Sequence, residues 1–383
     1  MDKLGILEHF NSVEKTSERN GYTFSIGRIL TIALLGSLCG LDNVKKIHQW
    51  ASKERISEFL KEHFGIFTIP SYSTILDILA IVNPESLPQK LMEWATSLLP
   101  NRIENLTLVF DGKTICSTVF DGKTICSTGK MKEYDKPLHI LSAYFAELGL
   151  TVANKVVGEE TNEIPVMRDL LKLIRIDGCM ITADALHCQA ETAQTIIDGG
   201  GDCLLNAKNN QETLKQDIED FVQDDELRVG MSAATTREKN GGRIEFRRAF
   251  VSNDVTWMEE LTEIWPGLSC FGAINRRFTI DDKTSDEWHY YISSRNLTPE
   301  ELLQFARNEW GIEAMHHLLD VRFREDFCQV RDRNAILALN TIRKIALNSI
   351  KKYKSETNSK QPYSVLMFDC LLDCRAILNI VDR

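Results

Sequence analysis

The chain has no Cys-X-X-Cys pair, no apolar run long enough to cross a bilayer, and no excess of positive charge. Its ten cysteines are scattered, the nearest two being Cys370 and Cys374. That argues against a zinc ribbon or a disulfide framework and for reduced, buried thiols in a cytosolic protein. The longest apolar stretch, residues 29–41, is too short to span a membrane and is interrupted by Gly36, Ser37 and Gly40. It lies too far along the chain, and lacks a small-residue cleavage site, to read as a signal peptide. A buried helix is expected there. The net charge of −10 argues against a nucleic-acid coat protein or a polybasic membrane binder, but not against a local basic surface. What is present is ordinary: 383 residues, 43% hydrophobic and 26% charged, enough for one large domain or two smaller ones with a real core.

One feature is not ordinary. Residues 109–118, VFDGKTICST, recur unchanged as residues 119–128, which marks a recent tandem duplication. The unit carries an apolar strand end running into Asp-Gly-Lys. Two aspartates, Asp111 and Asp121, therefore compete for one position.

Residues 1–98 read as helical, with Ile56, Phe59, Leu60 and Phe64 recurring at threes and fours. Asn83 and Pro84 read as a helix start, and Pro100 closes the region. Beyond it the pattern changes. Strands are expected at 106–110, ending at Asp111, and at 139–146, 150–157, 179–184 and 203–207. Helices are expected at 162–174, 186–197 and 211–222. The order βββαβαβα implies an α/β fold, a mixed sheet with flanking helices. Residues 226–295 read as a β-rich insertion with a hairpin turn at Asn240-Gly241-Gly242. Thr298 and Glu301 form a capping box that opens a long helix through Leu302, Phe305, Trp310, Met315 and Leu319. A further helix is expected at 334–353, then a polar linker and a last helix.

Two acids stand at carboxyl ends of expected strands: Asp111 (or its copy Asp121) and Asp184. Ligands of open α/β sheets bind there. A third, Glu313, shares a helix face with Trp310 and His317. Three carboxylates converging from two strand ends and a helix suit hard divalent cations such as Mg²⁺. Two such ions about 4 Å apart serve in-line phosphoryl displacement. Taken singly, each acid reads as a turn residue or a helix ion pair, and spacing alone favours that duller reading. The doublet His316-His317 does not readily serve one ion, because neighbouring helical residues point about 100° apart; packing or a hydrogen bond is expected. Residues 320–354 hold nine Lys/Arg against four acids, a local +5. That reads either as a DNA-facing stripe or as a solvated helix face. The acids at 224–226 and 281–282 read as surface turns.

The strings FDGKT, LHILSAY, TNEIPVMRDLL, ITADALHCQ, LLNAKNNQ, NGGRIEFR, HYYISSR, RNEWGIEAMHHLLDVRFREDF and IRKIALN run in that order. In this ordered set the chain resembles the insertion-sequence DDE transposases of the ISAs type, grouped with the H-repeat-associated proteins, over essentially its whole length. The resemblance implies a ribonuclease H-like catalytic domain at 104–353 carrying the β-rich insertion at about 226–295. It implies an associated helical domain at 1–98; residues 354–383 are read as a linker and C-terminal helix. By the same resemblance Asp111 or Asp121 is the first acid, Asp184 the second and Glu313 the third, holding two Mg²⁺ or Mn²⁺ ions. The implied partner is DNA: cleavage at the element ends, then attack of the freed 3′-hydroxyl on target DNA. Lys113 or Lys123, Lys208, Arg307, Arg331, Arg333, Lys351 and Lys352 are the expected DNA contacts. A homo-oligomer on DNA, in the prokaryotic cytoplasm and off the membrane, is implied with them. Gln189, Asn210 and Gln211 also match family positions. Two departures bear on activity: His317 stands where relatives usually carry Trp, and the duplication adds ten residues beside the first acid. A DNA-binding protein without catalysis and a nuclease that hydrolyses without joining stand as the alternative classes.

Overall fold

The computed structural model describes residues 5–16, 24–115, 138–240, 243–280 and 283–381. Six helices come first: α1 (Ile6–Phe10), α2 (Ile26–Leu38), α3 (Val44–Ala51), α4 (Glu54–Phe64), α5 (Tyr72–Ala80) and α6 (Ser86–Ser97). Ser25, Asn43 and Ser71 each accept a hydrogen bond from a first-turn amide of α2, α3 and α5, meeting donors that a helix leaves orphaned. Asn83 Oδ1 accepts from the amides of Glu85 and Ser86, so α6 begins two residues later than Pro84 suggests. α2 is the expected apolar helix, buried at every residue from Ile29 to Leu38. Among the described residues no helix is long and apolar enough to cross a membrane.

A nine-stranded sheet follows: β1 (Thr107–Ile115), β2 (Leu138–Phe145), β3 (Leu150–Val156), β4 (Met180–Ala183), β5 (Asp202–Ala207), β6 (Ser232–Asn240), β7 (Arg243–Ser252), β8 (Cys270–Ile280) and β9 (Lys283–Ser293). Their order is β3-β2-β1-β4-β5-β9-β8-β7-β6. β1, β2 and β3 pair antiparallel, while β4 and β5 join β1 in parallel. This is the ribonuclease H-like arrangement, with α7 (Glu163–Leu171), α8 (Ala190–Asp198) and α9 (Glu212–Gln223) between its strands. The β-rich insertion, which also holds the short helices α10 (Asp225–Val229) and α11 (Glu259–Ile264), makes no separate layer. Its last strand, β9, pairs with β5, and β8, β7 and β6 extend the same sheet outward.

Three elements differ from the sequence expectation. β1 does not stop at Asp111. Its pairing with β4 ends at Phe110↔Ala183, but its pairing with β2 runs on to Ile115↔Leu138, which keeps the strand extended. The long helix after Thr298 is two helices, α12 (Pro299–Asn308) and α13 (Trp310–Arg322), joined at Glu309; the capping box itself is formed. The C-terminal segment holds two helices, α15 (Tyr363–Leu372) and α16 (Cys374–Val381), after α14 (Arg333–Thr357).

α14 is an interior helix, buried at every residue from Ala335 to Ile350. It packs against α2, α5 and β3, and one apolar cluster runs through it from α1 to the sheet. Burying each Leu or Ile there is worth about 1.5–3 kcal/mol. Asn348 meets edge strand β3 as another peptide would: Oδ1 accepts from Thr151 N–H at 3.0 Å, and Nδ2 donates to Thr151 O at 2.8 Å. That closes an edge otherwise open to pairing. All eight described cysteines are free, and seven are buried. Cys116 and Cys126 lie outside the described residues.

Candidate active site

Asp111 and Asp184 leave the β1–β4 ladder side by side. Phe110 pairs with Ala183, and each aspartate is the next residue. Glu313 comes from the first turn of α13, which packs on β1. Gly311 allows the close approach of α13, since a Cβ there would stand 3.2 Å from Tyr144 Cε1. The three acids line one pocket of about 370 Å³ beyond the carboxyl ends of the parallel strands.

Each aspartate has a partner. His316 Nδ1 stands 3.2 Å from Asp111 Oδ2, and Lys208 Nζ stands 3.3 Å from Asp184 Oδ1. His316 is buried and His317 exposed, so the histidine doublet splits between the two sides of α13. A fourth acid, Glu309, also lines the pocket. Burial pushes its carboxyl up to about 8 against the pull of Lys208, and Asp184, Glu313 and Asp111 push the same way. Nothing marked Glu309 in the sequence except its position four residues before Glu313. Among the described residues no three His, Cys, Asp or Glu side chains gather closely enough to hold a metal as they stand.

Facing the acids is a cationic wall that the sequence reading missed. Arg247 of β7 and Arg276 of β8 line the same pocket as Lys208. Their guanidinium carbons lie 4.4 and 4.7 Å from the ring centroid of Trp310. Glu245 Oε1 accepts from Nε of both arginines at 2.7 Å. Burial holds His289 below the usual histidine range against Glu287, and Lys208, Arg276 and Arg247 add to that. The β-rich reading of residues 226–295 gives strands, not which face of them meets the pocket.

Behind the acids lies a polar scaffold. Lys113 shares a β1 face with Asp111, and its ammonium ion-pairs with Asp320, Glu325 and Asp326. Glu325 is wholly buried and takes Asn340 Nδ2 at 3.0 Å and Arg343 at 3.4 Å. Lys344 Nζ donates to Ser142 Oγ at 2.8 Å. On the opposite β1 face, Glu163 bridges His139 at 2.6 Å and His187 at 3.2 Å. Gln189, Asn210 and Gln211 donate to the carbonyls of Leu186, Ala185 and Cys188, tying the β5 loop to the turn after Asp184.

The other singled-out residues are spread out. Arg307 pairs with Glu238 and Arg333 with Glu159, while Arg331 is exposed. Lys351 Nζ donates to Tyr144 Oη at 2.9 Å, and Lys352 is half-buried. Residues 320–354 do not make one continuous basic stripe, because Arg343 and Lys344 are buried in the core. Asp121 and Lys123 lie outside the described residues.

Together these features define a ribonuclease H-like α/β domain with an acid pocket past its parallel strands. The chain belongs to the transposase DDE-domain family, whose model matches residues 107–349. A second model, described as DDE_Tnp_1-associated, matches residues 7–95. The chain is 30% identical to "Uncharacterized protein in dhlA 3'region" of Xanthobacter autotrophicus over 72% of this chain and 89% of that protein. It is 27% identical to "H repeat-associated putative transposase YhhI" of Escherichia coli (strain K12) over 92% of each. Among solved structures, a chain of the piggyBac transposase synaptic complex with hairpin DNA aligns at 11% identity and a TM-score of 0.45, over 98% of this chain and 78% of its own, a distant likeness.

Proposed function

We propose that this chain is an insertion-sequence transposase that cuts DNA at its element's ends and joins the freed ends to target DNA. Asp111, Asp184 and Glu313 are its catalytic acids. The observation that carries the reading is the convergence of these three on one pocket.

The donor set is all carboxylate oxygen, which suits Mg²⁺ or Mn²⁺. Glu309 lines the same pocket, a fourth acid beside these three. Asp111, Asp184 and Glu313 would hold the ions, and bound divalent ions supply charge neutralisation for phosphoryl transfer. The remaining work falls to the chain. β1 and α13 set Asp111 and Glu313 on facing elements, and His316 orients Asp111. Lys208 is placed to meet a phosphate oxygen. Pre-set geometry of this kind is where most of the rate enhancement in such reactions originates. Lys113, engaged by three carboxylates, acts by fixing β1; Lys208, Arg307 and Arg331 are better DNA contacts.

Residues 1–98 form the associated helical domain and 104–353 the catalytic one, and the two family matches, at 7–95 and 107–349, support that division. The protein works as a homo-oligomer on DNA in the prokaryotic cytoplasm. The test is a cleavage and joining assay on DNA carrying the inverted repeats that bracket the gene. Wild type yields nicked and joined products. Asp184→Ala and Glu313→Ala yield neither, at unchanged circular dichroism. Retained cleavage by a folded Glu313→Ala protein removes that residue from the reaction. Nicking without joining makes the chain a nuclease.

A further inference from the structure

We propose that Arg247 and Arg276 of the β-rich insertion bind a backbone phosphate of the DNA strand entering the acid pocket, with Trp310 as the rigid back of that subsite. The proposal rests on the DNA-cutting reading above and assigns the insertion a part in it.

The two arginines are cross-strand partners: Arg247 of β7 lies opposite Arg276 of β8. Like charges at directly opposed positions destabilise a sheet. Their side chains are only 9% and 19% exposed, so both charges are also held largely out of water. A strand pair that needed only a staple would gain more from one arginine and one acid. Glu245 offsets part of the repulsion, yet one carboxylate serves two guanidiniums. Glu287 lies 3.6 Å from Arg276 and is half-exposed. The two arginines and Lys208 line the pocket while Glu245 and Glu287 do not, so this wall turns its cations, not their acid partners, to the pocket.

An anion is the ligand this wall fits. Guanidiniums present planar pairs of N–H donors that match phosphate oxygens, and stacking on Trp310 fixes their planes. The wall faces the acids across a pocket of about 370 Å³, so a strand with its scissile group at the acids brings a neighbouring phosphate to the arginines. The line continues past the acids. Asn206, Lys208 and His289 also line a neighbouring hollow with Lys215, Asn209 and Trp288. Lys208 thus lines both hollows, while in the second Lys215 is paired with Glu219.

The test uses the full chain and a fluorescein-labelled duplex with a single-stranded tail, with EDTA present to prevent cleavage. Anisotropy is read over a salt series. The Arg247→Gln/Arg276→Gln variant is expected to bind at least tenfold more weakly, with the log–log salt slope shallower by about 1–2. Trp310→Leu, which keeps both charges, is expected to weaken binding at nearly unchanged slope. Single methylphosphonate linkages along the tail then locate the phosphate, at a position where neutralisation weakens wild type and adds nothing in the double variant. Arg276→Gln alone, which leaves Arg247 with Glu245, gives the same readout at about half the slope change should the double variant fail to fold. A folded double variant with wild-type affinity and slope overturns the subsite and leaves the DNA-cutting reading standing. A wild-type chain that binds no DNA overturns both.

Discussion

His316 Nδ1 lies 3.2 Å from Asp111 Oδ2, which couples the inner side of α13 to β1 just past its pairing with β4. The other ring nitrogen of His316, Nε2, is buried without a partner, so the contact to Asp111 is the imidazole's one observed polar tether. Side chains that orient a ligating carboxylate typically carry a tenfold to hundredfold effect on metal affinity or activity.

His316→Ala is therefore expected to fold and bind DNA as wild type does. Its cleavage rate falls by about 10–100-fold, and saturation requires more Mg²⁺. Initial rates across a Mg²⁺ titration check this. Lower activity at an unchanged Mg²⁺ requirement would reduce His316 to a packing role.

Gly112 sits between Asp111 and Lys113 in β1. A Cβ there would collide with the Glu163 carboxylate and stand 2.7 Å from His139 Nε2. Because Glu163 bridges His139 and His187, the collision breaks a cluster joining β2 to the turn after Asp184. Gly112→Ala is expected to cost about 1–3 kcal/mol, as overpacking does. The melting temperature and cleavage activity fall together. A Gly112→Ala protein with wild-type melting would show that β1 shifts freely, and the cluster would lose its positioning role.

The parallel strands, and the places of Asp111 and Asp184 just past the β1–β4 pairing, were legible because β4 and β5 are short apolar runs closed by polar residues. The same logic misjudged the end of β1, since period and composition cannot show that β2 keeps pairing after β4 turns away. The +5 of residues 320–354 misled for a related reason. A charge count gives no direction, and Arg343 and Lys344 point inward to Glu325 and Ser142. Arg247 and Arg276 were invisible as a pair because they lie 29 positions apart and meet only through the β7–β8 register.

Stability should depend on pH through buried bases and thiols. Burial brings Lys344 down to about 7 and Lys351 to about 7. Between about pH 7 and 10.5 the unfolded chain binds more protons at these lysines, so stability rises with pH and is lost as pH falls through about 7. Burial pushes the Cys179, Cys188, Cys270 and Cys370 thiols up to about 12 and Cys203 to about 11. Their contribution is present below about pH 9 and is lost as pH climbs toward those values. Denaturant midpoints under reducing conditions should therefore peak at about pH 9. Lys344→Met should be more stable than wild type near pH 6, by about 1–4 kcal/mol. The gain should shrink toward pH 9. A gain independent of pH would mean that Lys344 folds with its proton on.

The duplicated unit gives the sharpest prediction. The first copy supplies β1 and sets Asp111 in the pocket, with Leu108, Val109 and Phe110 buried beneath it. The second copy falls within residues 116–137, between β1 and β2. Lengthening a connection by ten residues costs little, since loop-closure entropy grows only logarithmically. Deleting residues 119–128 leaves the same chain as deleting 109–118, because the copies are identical. That shortened chain retains Asp111, its strand and the run from Gly129 to His139. It is expected to fold with a melting temperature within a few degrees of wild type and to cleave DNA at least as fast. In the full-length chain Asp111→Asn should abolish cleavage, while Asp121→Asn should leave it within about twofold, a difference under about 0.5 kcal/mol. Loss of activity in Asp121→Asn with activity kept in Asp111→Asn would put the second copy in the strand during catalysis. Activity in both would mean that the copies exchange register, and a fixed β1 would be the wrong picture.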